Sequence, residues 1–191
     1  DIAEGDDLWE PGTLAYVGGS QSREAYRDWM MWVSENNPGP QRVVVVTGPE
    51  LISNSVNTDL AVADVQALRP DFEVVATVRT DYSVPSANER VLPVLQANPD
   101  PTLIVSNYSD MTRGAVQAVR QAGRDGTLRI EESGGSAWAF EAIRNGLIDS
   151  ARTFTPHTEM YLGVQALAQA WAGEDVPRYL ALTSDLVTAD N

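Results

Sequence analysis

Short blocks of consecutive apolar residues alternate along this chain with stretches in which apolar residues recur at every third or fourth position. The first pattern marks a strand covered on both faces, the second an amphipathic helix. The unit is clearest from Asn98 to Gly123. There a turn at Pro99 and Pro101 leads into an apolar block, Thr102–Ser106, and then a polar knot of Asn107, Tyr108, Ser109 and Asp110. Met111, Ala115, Ala118, Val119 and Ala122 follow at helical spacing, and Gly123 closes the helix.

The same alternation runs through the rest of the chain. Residues 1–12 are acidic, carry turn formers and read as a loose lead-in. Leu14–Val17 is a short apolar run ending at Gly18-Gly19, and Ser20 or Ser22 can cap a helix over Arg23–Asn36. Tyr26, Trp29, Met30 and Val33 form its apolar face, with Met31 and Trp32 beside it. Arg42–Thr47 is a β-branched strand, followed by Gly48-Pro49, a polar loop at Ser53-Asn54-Ser55, and a helix over about 56–68. Glu73–Val78 predicts a strand, Asp81-Tyr82-Ser83 a turn, and about 86–97 a helix that Pro93 should kink. Beyond Gly123, Thr127–Glu131 predicts a strand, Glu132-Ser133-Gly134-Gly135 a turn, and Ser136 the cap of a helix that Gly146 ends. Ser150–Phe154 is another short strand. Thr155-Pro156 opens a helix to about Ala172, and Tyr179–Val187 alternates weakly as a last strand.

Strand and helix in strict alternation predict an α/β fold: a doubly wound parallel sheet with helices on both faces. Right-handed crossovers then bring the turns at Gly48, Asp81, Asn107, Ser133 and Phe154 to one edge, the edge where such sheets bind ligands.

Composition narrows the function classes. The formal charge is −14 and all basic residues are arginines. Such a chain repels phosphate backbones and acidic lipid, so no nucleic-acid partner is expected; a solvated acidic surface accounts for the charge. With no cysteine, disulfides and thiolate metal sites are excluded, and a single histidine leaves no conventional zinc site. No apolar run is long enough to span a bilayer. The chain starts at Asp1 rather than Met, which is compatible with a removed leader.

The common catalytic signatures are absent. A P-loop requires a lysine, and the chain has none. The two Gly-Gly pairs do not supply a dinucleotide fingerprint, and no Gly-x-Ser-x-Gly elbow occurs. We therefore expect no enzyme and no cofactor. His157, in the first turn of a helix, is expected to face solvent, and Glu131-Glu132 reads as a solvated acidic edge. Tyr82, Tyr108 and Phe154 stand in polar turns at strand ends, where a flat ring can either stack on a ligand or pack.

Three segments carry a family resemblance: RVVVVTGPELISNS; LQANPDPTLIVSNYSDMTRGAVQAVRQAGRDG; and ESGGSAWAFEAIRNGLIDSARTFTPHTEMYLGVQALAQAWAGEDVP. Over about 14–190 the chain resembles type 1 periplasmic sugar-binding proteins of ABC transporters, the ribose-binding-protein class, and more distantly LacI-type regulators. The resemblance implies a periplasmic-binding-protein type 1 lobe, here mainly the second of two lobes that clamp a ligand. It places a lead-in at 1–17, the second lobe at 18–154, a helix at 155–180 that normally packs on the first lobe, and a returning tail at 181–191.

The family's ligand residues are only partly matched. In place of the arginine after the first strand the chain has Ser53, Asn54, Ser55 and Asn57. At the sugar-binding asparagine stands Tyr108, one place after Asn107. The binding aspartate aligns with Gly134, preceded by Ser133, and the last glutamine aligns with Phe154. With Tyr82, these are the candidate ligand residues. Loss of the arginine and aspartate removes the strongest hydrogen bonds to a pyranose, so the fold inference stands but a ribose-like ligand does not follow; a less polar or differently shaped ligand, or a site of weakened affinity, is equally open. The resemblance thus implies a solute-binding protein, periplasmic or extracellular or held by a lipidated amino end, with a carbohydrate ligand and an ABC permease as partners. The alternative it leaves is a ligand-sensing domain of a regulator or membrane receptor. It also implies that the Met160, Leu162, Val164, Leu167 and Trp171 face is exposed, or buried in a dimer, if the first lobe is absent.

Overall fold

A computed structural model describes residues 8–98 and 100–191. The lead-in, apart from its last residues, lies outside them, as does Pro99. The described chain divides into two units: residues up to Gln21 with Phe154–Ser184, and Ser22–Thr153 with Asp185–Asn191.

The larger unit is built on a six-stranded sheet, ordered β3-β2-β4-β5-β6-β8. Its strands are β2 (Gln41–Thr47), β3 (Phe72–Arg79), β4 (Leu103–Ser106), β5 (Arg129–Gly134), β6 (Ser150–Thr153) and β8 (Leu186–Thr188). All pair in parallel except β8, which runs antiparallel to β6. Helices α1 (Arg23–Asn36), α2 (Ser53–Leu68), α3 (Val84–Ala97), α4 (Ser109–Gln121) and α5 (Ala137–Arg144) complete it. The central valines explain the layering. Val43 and Val45 point into a core with Tyr26, Trp29, Met30, Val33, Val62 and Val65 of α1 and α2. Val44 and Val46 point into the opposite core, with Ala87, Val91, Met111, Ala115 and Ala139 of α3, α4 and α5. Successive strand residues face opposite sides, so an unbroken valine run serves both cores.

The smaller unit pairs β1 (Tyr16–Gly18) in parallel with β7 (Tyr179–Ala181). The Tyr16 and Tyr179 rings stack, with centroids 5.2 Å apart. Helix α6 (Pro156–Trp171) belongs to this unit and has no fully buried residue. Met160, Val164, Leu167 and Trp171 are exposed, Trp171 at 94%, while Leu162 is half-buried.

Several sequence expectations are corrected. Ser53-Asn54-Ser55 is the first turn of α2 rather than a loop, because Ile52 takes the cap position. β5 continues through Glu132, Ser133 and Gly134, which pair with Ala151, Arg152 and Thr153. Parallel pairing thus overrides the turn chemistry of that segment. The Glu131-Glu132 pair is not a solvated edge: its members are 1% and 0% exposed. The weak strand at Tyr179–Val187 is two strands, β7 and β8, in different sheets. Thr155 is the N-cap residue of α6 with Pro156 after it, as the sequence indicates, though its side chain makes no cap bond. Helix α3 contains Pro93, as the sequence indicates. The caps at Ser22 and Ser136 form as the sequence indicates, accepting from the Ala25 and Ala139 amides.

Candidate functional site

Parallel pairing gathers the ends of β2, β3, β4 and β5, and the helix starts that follow them, at one edge of the large sheet. Thr47 ends β2, Asn107 follows β4, and Asn54 and Thr58 lie in the first turns of α2. Asn107 is 2% exposed, and its Nδ2 lies 3.0 Å from Thr47 Oγ1, 2.6 Å from Asn54 Oδ1 and 2.8 Å from Thr58 Oγ1. Asn54 Oδ1 also accepts from the Tyr26 hydroxyl at 3.1 Å. The Asn107 Oδ1 atom is buried and has no partner among the described residues. Such a cluster fixes side-chain orientation, because each buried amide has few alternative partners.

Aromatic rings flank it. Tyr82 sits in the turn after β3 with φ 67°, a left-handed conformation uncommon for a residue with a side chain. Its ring lies over Gly48, where a Cβ would come 2.0 Å from the ring, so this close approach requires glycine. The Tyr82 hydroxyl is 3.4 Å from Ser55 Oγ. Its ring meets Tyr108 edge to face at 5.6 Å. Tyr108 is the N-cap residue of α4, gives no side-chain cap bond and is 40% exposed.

Two further groups organise the turns after β4 and β5. Glu132 Oε1 accepts from the Ser109 hydroxyl at 2.7 Å and from the Gly135 amide at 2.8 Å. The Ser136 amide in turn donates to Ser109 Oγ at 3.3 Å. A Cβ on Gly134 would lie 2.6 Å from Ser109 Oγ, so glycine permits the approach. Burial pushes the Glu132 carboxyl above its ordinary range, and its Oε2 has no partner among the described residues. Burial likewise raises Glu131, which accepts from Ser150 and from Asn37.

Arg152, 6% exposed on β6, donates to Ser133 Oγ at 3.1 Å and lies 5.4 Å above the Tyr26 ring. Desolvation lowers its pKa. The Tyr26 hydroxyl is pushed up to about 12, chiefly by burial.

Of the sequence-predicted residues, the structure brings together Asn54, Asn107, Tyr82 and Tyr108. Ser133 is buried beneath Arg152, and Gly134 is half-buried at the end of β5 beside Ser109. Ser53 is exposed and Asn57 half-buried on α2, and Phe154 is half-buried in the smaller unit. Sequence reasoning missed Tyr26, Thr47, Thr58, Ser109, Glu132 and Arg152. Tyr26 was absorbed into the apolar stripe of α1. An arginine inside a short strand was the one visible signal for Arg152, since a covered strand seldom carries a charge.

Among the described residues no cluster of His, Asp and Glu could hold a metal ion, and no helix is long and apolar enough to cross a membrane. A cavity of about 400 Å³ opens at the opposite edge of the sheet, near Arg120, Arg129 and Gly146. Its arginines pair with Asp125 at 3.5 Å and Asp149 at 3.2 Å.

A parallel α/β lobe with its polar and aromatic residues at the carboxyl edge of the sheet is the architecture of a clamp for small ligands. The chain belongs to the periplasmic binding protein domain family, which it matches over residues 10–175. That family is periplasmic or extracellular, and the relatives found are binding proteins. A xylitol-binding protein from Mycolicibacterium smegmatis is 24% identical over 163 residues, covering 85% of this chain and 46% of the relative. The chain thus spans about half the length of that curated relative.

Solved structures share the fold. The Caulobacter myo-inositol binding protein, bound to myo-inositol, superposes with a TM-score of 0.83 at 23% identity, covering 100% of this chain and 64% of that one. GanP, a glucose-galactose binding protein from Geobacillus stearothermophilus, gives 0.85 at 19% identity, covering 94% and 64%. A periplasmic ribose ABC transporter protein from Conexibacter woesei gives 0.84 at 17%, covering 95% and 61%.

Proposed function

We propose that this chain supplies a ligand-binding lobe of an ABC-importer solute-binding protein. The protein captures a small neutral polyhydroxylated molecule, a sugar or a sugar alcohol, by hinge closure and delivers it to a membrane permease. The observation that carries this reading is the cluster of Asn54 and Asn107 with Tyr82 and Tyr108 at the carboxyl edge of the sheet. Amides pair with hydroxyls, and aromatic faces cover the apolar side of a sugar ring or polyol chain. Ser53, Asn57, Ser133 and Gly134 of the larger unit complete the proposed ligand set. The names of the relatives, which include xylitol, inositol and ribose binders, support a neutral ligand rich in hydroxyls. We place the protein outside the cytoplasmic membrane, free or held by a lipidated amino end.

The test is a thermal-shift screen of the full-length protein against monosaccharides, disaccharides, polyols and furanones. At least one should raise the melting temperature with saturable dose dependence, since a ligand that binds only the native state stabilises it. No shift with any of them, beside a responding positive control, would count against the reading.

A further inference from the structure

The buried hydrogen bonds around Asn54 can be assigned atom by atom, and they fix what this residue shows to a ligand. Thr58 has one hydroxyl hydrogen, which it donates to the Asn54 carbonyl oxygen at 2.8 Å. Toward Asn107, Thr58 Oγ1 can therefore only accept, so the atom 2.8 Å away must be the Asn107 NH2 group. That NH2 also faces Asn54 Oδ1 at 2.6 Å, and the Tyr26 hydroxyl donates to the same oxygen at 3.1 Å. The NH2 has two hydrogens and three acceptors around it, of which Asn54 Oδ1 and Thr58 Oγ1 lie nearer than Thr47 Oγ1 at 3.0 Å, so both lone pairs of Asn54 Oδ1 face donors inside the protein. Asn54 is half-buried, and the group it has left is its own NH2, a pure donor. Asn107 Oδ1 is buried and has no partner among the described residues.

Tyr26 is built to hold this arrangement. It is 0% exposed, it is clamped between Trp29 at 6.4 Å and the Arg152 guanidinium at 5.4 Å, and its hydroxyl stays protonated as a donor well above neutral pH.

We propose that Tyr26, which lies on α1 outside the predicted ligand set, is a positioning residue. It locks the Asn54 amide with its NH2 outward, and so makes the site select ligands presenting an oxygen acceptor there and reject those presenting an ammonium. This rests on the solute-binding reading above. Tyr26 does not touch the ligand; it acts through Asn54.

The experiment is isothermal titration of the full-length protein with xylitol, D-ribose, D-glucose and myo-inositol, and with the amino-substituted analogue of whichever binds best. Wild-type protein should prefer the hydroxyl ligand over its amino analogue. Tyr26→Phe keeps the ring under Arg152 and removes one hydroxyl. It should weaken the preferred ligand about 5- to 10-fold, as loss of one orienting hydrogen bond implies, and should narrow the hydroxyl-over-amine preference. Asn54→Asp keeps the inward acceptor but turns the outward donor into an acceptor, and should narrow or invert that preference. Side-chain amide NMR gives a ligand-free readout: Tyr26→Phe should shift the Asn54 and Asn107 NH2 resonances ahead of other asparagines.

Unchanged affinity and unchanged preference in Tyr26→Phe would overturn the positioning role alone. So would a loss of affinity that tracks a loss of melting temperature with the preference intact, which is what a merely structural tyrosine would give. Wild-type protein that binds none of the four compounds, nor any other neutral polyol, would overturn both the function and the role.

Discussion

Helices α4 and α6 each carry a glycine in mid-helix, and the two glycines live in opposite surroundings. A Cβ on Gly114 of α4 would come 2.4 Å from the Val84 carbonyl oxygen and 2.6 Å from Ala87 Cβ, so α3 and α4 touch backbone to backbone there. A Cβ on Gly163 of α6 would meet nothing within 4 Å among the described residues. Helix α4 buries Met111, Ala115, Ala118 and Val119, while α6 leaves Met160, Val164, Leu167 and Trp171 exposed. One helix is finished by its packing; the other presents an apolar face that its own unit does not cover. The contrast shows that a helical stripe of apolar residues reports amphipathicity and leaves open what, if anything, covers it.

Substitutions can break or sharpen this contrast. The largest effect is expected at Gly114→Ala. The added methyl must push α3 and α4 apart, so denaturant unfolding should show a loss of about 2 kcal/mol, and wild-type stability would refute the close packing. Next is Glu132→Gln, which tests the staple joining the start of α4 to the end of β5. Burial raises the folded-state pKa of Glu132 above its ordinary 4.5. A raised carboxyl pKa means that the folded protein holds the proton more tightly than the unfolded chain. Stability from this group is therefore full below about pH 4.5 and is lost as pH rises through the folded value. Wild-type stability measured from pH 4 to 8 should fall relative to Glu132→Gln, and parallel curves would contradict the assignment.

Gly163→Ala should act oppositely to Gly114→Ala, raising stability by about 0.5–1 kcal/mol because an unhindered helix gains from losing a glycine. A destabilised variant would show that the α6 glycine is packed after all. The smallest expected effect is Trp171→Ala. At 94% exposure the ring contributes little to folding, and the change should stay within about 0.5 kcal/mol. If that ring is covered in the assembled protein, the loss will be several times larger.

Much of the larger unit was legible in the sequence because local chemistry and tertiary packing agree there. The α1 limits, the Ser22 and Ser136 caps and the valine strand all follow from side-chain stereochemistry and spacing. The failures fall where pairing overrules local signals. Glu132, Ser133 and Gly134 carry turn-forming character, yet they extend β5 because β6 offers a ladder. Thr183-Ser184-Asp185 divides an apparent single strand between two sheets. The site was legible only in part. Asn107, Tyr82 and Tyr108 stand out as polar or aromatic residues at strand ends, whereas Tyr26 and Arg152 are joined to the site by contacts between residues 126 positions apart, which no local pattern encodes.

The central claim is that ligand binds at the carboxyl edge of the large sheet, and hydrogen–deuterium exchange of the full-length protein, with and without a stabilising sugar or polyol, tests it most directly. Binding should slow exchange in the turns and helix starts around residues 48–58, 81–86, 107–112 and 133–137. Protection confined instead to the opposite edge, around residues 120–130 and 144–149, would contradict it.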